Sequence, residues 1–300
     1  MSRRAGPGTA RTTYGVARFV DTIAAIPAPL TTAAERLPSE VGASPAATVH
    51  MDGIANVADW TAAKVLVEHL FARGTTKIPG VEYAVGYQLA QGLTGGDIVD
   101  VYHFDNDAVS FCIADIEGKG TEAAIHAAMV KYGLRSYASQ GLTPERVLRS
   151  LDRLYLENNA FERIESFASV FFGMVDATRR MMHYASGGHE AAAVIVPGER
   201  AQVIVPTAPL IGVFDDQHHL FKQAFVDLPP GTLFVATTDG ITEARSPDKT
   251  FFGMDGFVAV IEELAEAPTE TIVHELIART RAFTGDNLRD DVAVVAARFP

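Results

Sequence analysis

Apolar positions along this chain follow two patterns: short runs dense in Val, Ile, Tyr and Phe that arrive in groups, and longer amphipathic stretches that arrive in pairs. The runs at about 81–90, 97–104 and 108–115 are bounded by turn formers and predict strands. A helix is predicted from Thr121, with Ala123, Ala124, Ala127 and Ala128 leaving one side slim enough for close approach. A second starts near Thr143-Pro144-Glu145, where proline suits a first helical turn. Strands recur at about 167–176, 181–186, 191–196, 201–205, 220–227 and 231–238, followed by helices at 253–265 and 268–283 and a closing strand at 292–299. Strands in groups and helices in pairs imply an α+β domain with largely antiparallel sheets, and argue against a βαβ repeat.

Ahead of Pro79 the pattern weakens. Residues 1–55, dominated by Ala, Pro, Thr and Gly without a sustained period, predict a flexible leader. Residues 56–78 predict a helical linker, because Trp60, Val65, Leu66, His69 and Leu70 form an apolar stripe over 57–71 that Gly74 and Pro79 stop. The default partner for that stripe is the domain of residues 79–300; the alternative is a homodimer through the same helix.

The strands at 98–104 and 108–114 flank the polar triplet Asp105-Asn106-Asp107 and read as one hairpin. A turn centred near Asn106 sets Asp97 opposite Asp115, where cross-strand Cβ atoms lie about 4.5–5.5 Å apart. Ionised carboxylates that close repel, so the pair needs a shared proton or an intervening cation, and the cation is preferred. Gly95-Gly96 ahead of Asp97, and Gly118 and Gly120 after Asp115, let the backbone approach a bound group closely. Asp239 closes one apolar run and Asp290-Asp291 opens another, so further carboxylates sit at strand ends that two sheets can bring to one cleft. Oxygen-only donors of this kind suit Mg²⁺ or Mn²⁺ and not zinc.

Charge and composition narrow the field. A formal charge of -12 argues against nucleic acid as partner. The single cysteine, Cys112, lies mid-strand and fits a reducing compartment as a small buried hydrophobe. No apolar run reaches membrane-spanning length, and Asp21, Pro27 and Pro29 interrupt Phe19–Leu30, so a cytoplasmic chain without membrane association is expected.

Bland roles remain for several polar residues. Asp100, three positions from Asp97, should face the other side of its strand as a surface or supporting residue. Glu117 and Lys119 read as solvated, and His126, His218 and His219 as structural or exposed. His189, after Gly187-Gly188, reads as a loop-ordering hydrogen bonder. GKGT at 118–121 is not a phosphate-binding P-loop, since Ile113 stands where that motif requires glycine.

Taken together, TGGDIVD (94–100), ADIEGKGTEAA (114–124), FASVFFGMVD (167–176), YASGGHEAA (184–192), TTDGITEAR (237–245) and RDDVAVVAARF (289–299) resemble the PPM family of metal-dependent Ser/Thr protein phosphatases, in its bacterial SpoIIE-type branch. The resemblance covers residues from about 80 to 300. It implies a four-layer αββα sandwich and two divalent cations, Mn²⁺ or Mg²⁺, where the sheets meet. Asp115 would bridge both ions, Asp97 would hold one, and Asp239 and Asp290 the other, with Asp291 the alternative to Asp290 and the Ile116 carbonyl a further donor. Ions about 3.5–4 Å apart would turn a bridging water into a nucleophile and draw phosphoryl oxygens toward them, without a phosphoenzyme. The implied substrate is a phosphorylated regulatory protein such as an anti-sigma-factor antagonist.

Some positions depart from the family pattern. Ile98-Val99 replace aromatics, Lys119 stands where histidine is usual, and Gly187-Gly188-His189 replaces Ala-Gly-His. With all four aspartates in place, an active enzyme is expected. A phosphatase-fold binding module without turnover is the alternative. A cyclic-dinucleotide synthase, whose Gly-Gly-Asp would continue Glu-Phe, leaves Asp239 and Asp290 unexplained.

Overall fold

The computed structural model describes residues 78, 81–90, 95–104, 108–118, 120–214 and 218–299. The leader, the 57–71 helix with its possible homodimer, and Lys119 lie outside the described residues. Two five-stranded sheets form the centre. One contains β2 (Ile98–His103), β3 (Val109–Ile116), β4 (Ala168–Asp176), β5 (Met181–Gly187) and β8 (Ala224–Asp227), in that spatial order. The other runs β1 (Glu82–Gln88), β10 (Val292–Phe299), β9 (Thr232–Thr237), β6 (Ala192–Ile195) and β7 (Gln202–Val203). Neighbouring strands pair antiparallel throughout both sheets.

Three apolar layers hold this α+β sandwich together. Helices α1 (Thr121–Ser139) and α2 (Pro144–Glu162) cover the β2–β8 sheet. The alanines of α1 let it pack closely: Ala124 and Ala127 are buried in that layer and Ala128 packs against it. In α2, Val147, Leu148, Leu151, Tyr155 and Asn159 make a buried stripe at helical spacing, and Pro144 occupies the first turn. Between the sheets, Phe234 stacks on Phe171 at 5.2 Å and tilts against Phe111 at 5.8 Å between ring centroids. Beyond the second sheet, α4 (Gly253–Glu263) and α5 (Thr269–Thr284) enclose the third layer. β10 shows why its sequence is almost wholly apolar: Ala293, Val295 and Phe299 face the other sheet while Val292, Val294 and Ala296 face helices.

The structure differs from the sequence reading at three elements. β8 starts at Ala224 because His218–Leu220 wind into one 3₁₀ turn. β7 is cut to an exposed edge pair, Gln202–Val203. Thr-Asp-Gly opens a short helix, α3 (Asp239–Thr242), an element absent from the sequence-based prediction. Asp100 does face away from Asp97, but it is buried and not on the surface. Arg135 donates to it twice, at 2.6 and 2.7 Å, Lys131 lies 3.4 Å away, and the Arg135 guanidinium covers the Tyr102 ring at 4.5 Å. Among the described residues no helix is long and apolar enough to cross a membrane.

Candidate metal centre

The β2–β3 ladder pairs Ile98 with Ala114 and keeps that register down to His103 and Val109, so the next pair outward is Asp97 and Asp115. Asp97 is buried to 4 % exposure, and burial followed by the Asp115 charge raises its pKa well above the ordinary carboxyl value. Burial and then Asp290 raise that of Asp115. Both shifts favour a protonated pair, or a cation in the proton's place.

The second sheet delivers the other acids. Thr238 follows β9 and is fully buried; its hydroxyl donates to Asp97 Oδ2 at 2.6 Å and accepts from the Ala293 N–H at 2.9 Å. That residue ties β10 to the acid of the opposite sheet, and Asp239 follows it as the first residue of α3. A cavity of about 460 Å³ opens between the sheet ends, with Asp115, Ile116, Asp239 and Asp290 on its wall. Asp291 has a different occupation: Tyr87 donates to its Oδ2 at 3.2 Å and the Ala90 N–H to its Oδ1 at 2.9 Å. Of the acidic doublet, Asp290 faces the cavity and Asp291 braces β1.

Three glycines make this crowding sterically possible. A Cβ on Gly95 would overlap Asp291 Oδ2 and the Tyr87 hydroxyl, one on Gly96 the Ile116 carbonyl oxygen, and one on Gly240 the Asp291 carbonyl oxygen. The glycines beside Asp97 and Asp239 are thus there for close approach. They also place the Ile116 carbonyl against the segment that carries Asp97.

His189 lies in the cavity wall at 3 % exposure. Its Nδ1 meets Ser169 Oγ at 3.2 Å, and Ser169 is the residue paired with Asp115 across β3 and β4. Its backbone carbonyl accepts from Ser186 Oγ at 2.6 Å, which is the loop-ordering contact expected of this turn. Burial pushes the imidazole down to about 4, against the opposing influence of the Thr237 backbone, and Nε2 is buried without a hydrogen-bond partner. His126, by contrast, is structural: it meets Ser166, which in turn meets Tyr155.

The donor set is therefore carboxylates and one carbonyl, a chemistry that fits hard divalent cations. No three His, Cys, Asp or Glu side chains among the described residues close tightly enough on one point to hold an ion as they stand. Sequence reasoning missed Thr238, Ser169 and Glu243, the last a further acid on the cavity wall. The doubled threonine before Asp239 was the one available signal.

Residues 105–300 match the family model described as Stage II sporulation protein E (SpoIIE). Phosphoserine phosphatase RsbU of Bacillus subtilis (strain 168) is 27 % identical over 202 residues, which are 66 % of this chain and 58 % of that protein. The chain thus spans little more than half the length of that relative. Among solved structures, the SiaA-PP2C domain of Pseudomonas aeruginosa superposes with a TM-score of 0.63 at 19 % identity, covering 73 % of this chain and 86 % of that one. The catalytic domain of serine threonine protein phosphatase PstP, solved in complex with two manganese ions, gives 0.55 at 13 % identity, covering 73 % and 97 %. At these identities the structural likeness establishes the shared fold.

Proposed function

The chain belongs to the Stage II sporulation protein E (SpoIIE) family, and from that footing we propose that it hydrolyses phosphoserine or phosphothreonine on a regulatory protein, with two divalent cations, Mn²⁺ or Mg²⁺. The observation that carries this reading is the pairing of Asp97 with Asp115 beside a cavity that Asp239 and Asp290 enter from the opposite sheet. Phosphoserine phosphatase RsbU as a relative and manganese in PstP support it.

In this reading Asp115 serves both ions, Asp97 holds one of them, and Asp239 and Asp290 hold the other, with the Ile116 carbonyl as an additional donor. Asp290 is preferred to Asp291 as the ligand because it lines the cavity, whereas Asp291 accepts from Tyr87 and the Ala90 N–H. Bound there, the ions would supply positive charge for the phosphoryl oxygens and acidify a water molecule. The protein's own contribution is arrangement. Thr238 occupies Asp97 Oδ2 with its hydroxyl and so sets the orientation of that carboxylate. His189, neutral above its depressed value, and Ser169 brace the strand position opposite Asp115. The sequence resemblance to the SpoIIE-type branch is the ground for taking a phosphorylated anti-sigma-factor antagonist as the substrate, and RsbU, by name a phosphoserine phosphatase, supports the phosphoserine part of this reading.

Purified protein with excess Mn²⁺ should hydrolyse p-nitrophenyl phosphate, and Asp115→Asn should remove that activity. The carboxylates do not converge on one point as they stand, and this favours a second reading, a binding module without turnover. Hydrolysis no faster than that of Asp115→Asn, together with calorimetry that registers no manganese uptake, would decide for the module.

A further inference from the structure

A second groove, also about 460 Å³, begins where the candidate metal centre ends. The link between them is the β3–β4 ladder. Asp115 pairs with Ser169, and one step further the Glu117 N–H donates to the Phe167 carbonyl at 2.9 Å. Two strand residues span about 6.6 Å, so Phe167 stands that far from the residue opposite Asp115. Phe167 and Glu117 line both cavities.

Beyond Glu117 the groove presents apolar side chains to solvent. Ile164, Phe167 and Val213 line it while remaining 37–39 % exposed. Apolar side chains gathered beside a polar rim mark interaction sites. The rim is acidic, formed by exposed Glu117 and Glu165. Asn159 adds a polar feature to the groove wall: its Nδ2 donates to the Ser166 carbonyl at 2.6 Å, and its Oδ1 is buried without a partner.

We propose that this groove docks the stretch of the substrate protein adjoining its phosphorylated residue. An apolar side chain lies against Ile164, Phe167 and Val213, and a basic side chain meets Glu117 and Glu165. The occupant follows from continuity and charge. A phosphorylated side chain in the cleft leaves its own backbone at the mouth, where the next wall along the ladder is Phe167. The acidic rim complements a basic residue and repels nucleic acid. The inference rests on the phosphatase reading given above.

The test compares three substrates: p-nitrophenyl phosphate, a phosphoserine peptide with Leu and Arg within about three residues of the phosphoserine, and the same peptide with Ala at both places. The wild-type protein should favour the Leu/Arg peptide by about tenfold in kcat/KM, the scale set by one buried apolar side chain, chiefly through KM. Ile164→Ser with Val213→Ser should abolish that preference and leave p-nitrophenyl phosphate hydrolysis unchanged. Glu165→Arg, an exposed position, should reduce the contribution of the arginine alone. A wild-type protein that shows no peptide preference, a double variant that keeps the preference, or equal losses on all three substrates would each overturn the docking inference. Failure of the wild type on p-nitrophenyl phosphate would instead overturn the phosphatase reading itself.

Discussion

A methyl group is the smallest change that probes this centre. Gly96→Ala would drive its Cβ into the Ile116 carbonyl oxygen, and backbone cannot swing aside as a side-chain tip can. It should cost about 1–3 kcal/mol in urea unfolding, the range for overpacking, and weaken manganese uptake in the same protein. Thr238→Val keeps the shape but removes the donor to Asp97. Loss of a group that orients a metal ligand costs about 10–100-fold in metal affinity or rate, so calorimetric affinity should fall in that range, and Thr238→Ser should restore it. Equal affinities for the two variants would show that the hydroxyl does not matter.

At the scale of elements, the hairpin was the most legible part of the sequence. Its strands are dense in β-branched and aromatic residues and its turn is polar, so the register of Asp97 against Asp115 could be counted from both ends. The helix α3 was not legible, because four residues carry no period. Neither was β8, whose leading apolar residues belong partly to a 3₁₀ turn. Asp100 was placed on the correct side of its strand, but its burial depends on Lys131 and Arg135 from α1, and spacing along one strand says nothing about a helix lying over it. Those contacts fasten α1 to the sheet. Asp100→Ala would remove the carboxylate that faces Lys131, itself 4 % exposed, and losing one partner of a buried ion pair costs about 3–5 kcal/mol. Chemical denaturation should show a loss on that scale.

For the whole molecule, the sequence marked the acids but not their meeting. Asp239 and Asp290 could be read as strand-end residues, while the crossing of Thr238 to Asp97, 141 positions away, depends on how two sheets stack. That crossing has an electrostatic cost that depends on pH. Asp97 and Asp115 have raised folded-state values, so the ion-free folded protein binds more protons than the unfolded chain above about pH 4. Their stabilisation is complete below that value and is lost as pH rises through the raised values. In the proposed centre manganese takes the place of that proton, so the increase in Tm on adding Mn²⁺ to EDTA-treated protein should be larger at about pH 8 than at about pH 5. A shift that stayed constant or shrank with pH would contradict this.

The hairpin also has a history during synthesis. Its two acids leave the ribosome together, whereas Thr238 follows Asp97 by 141 positions, which takes about 7–28 s at about 5–20 residues per second. Until then the nascent hairpin has no second sheet to shelter it, and its acids depend on water, a proton or a cation captured in passing.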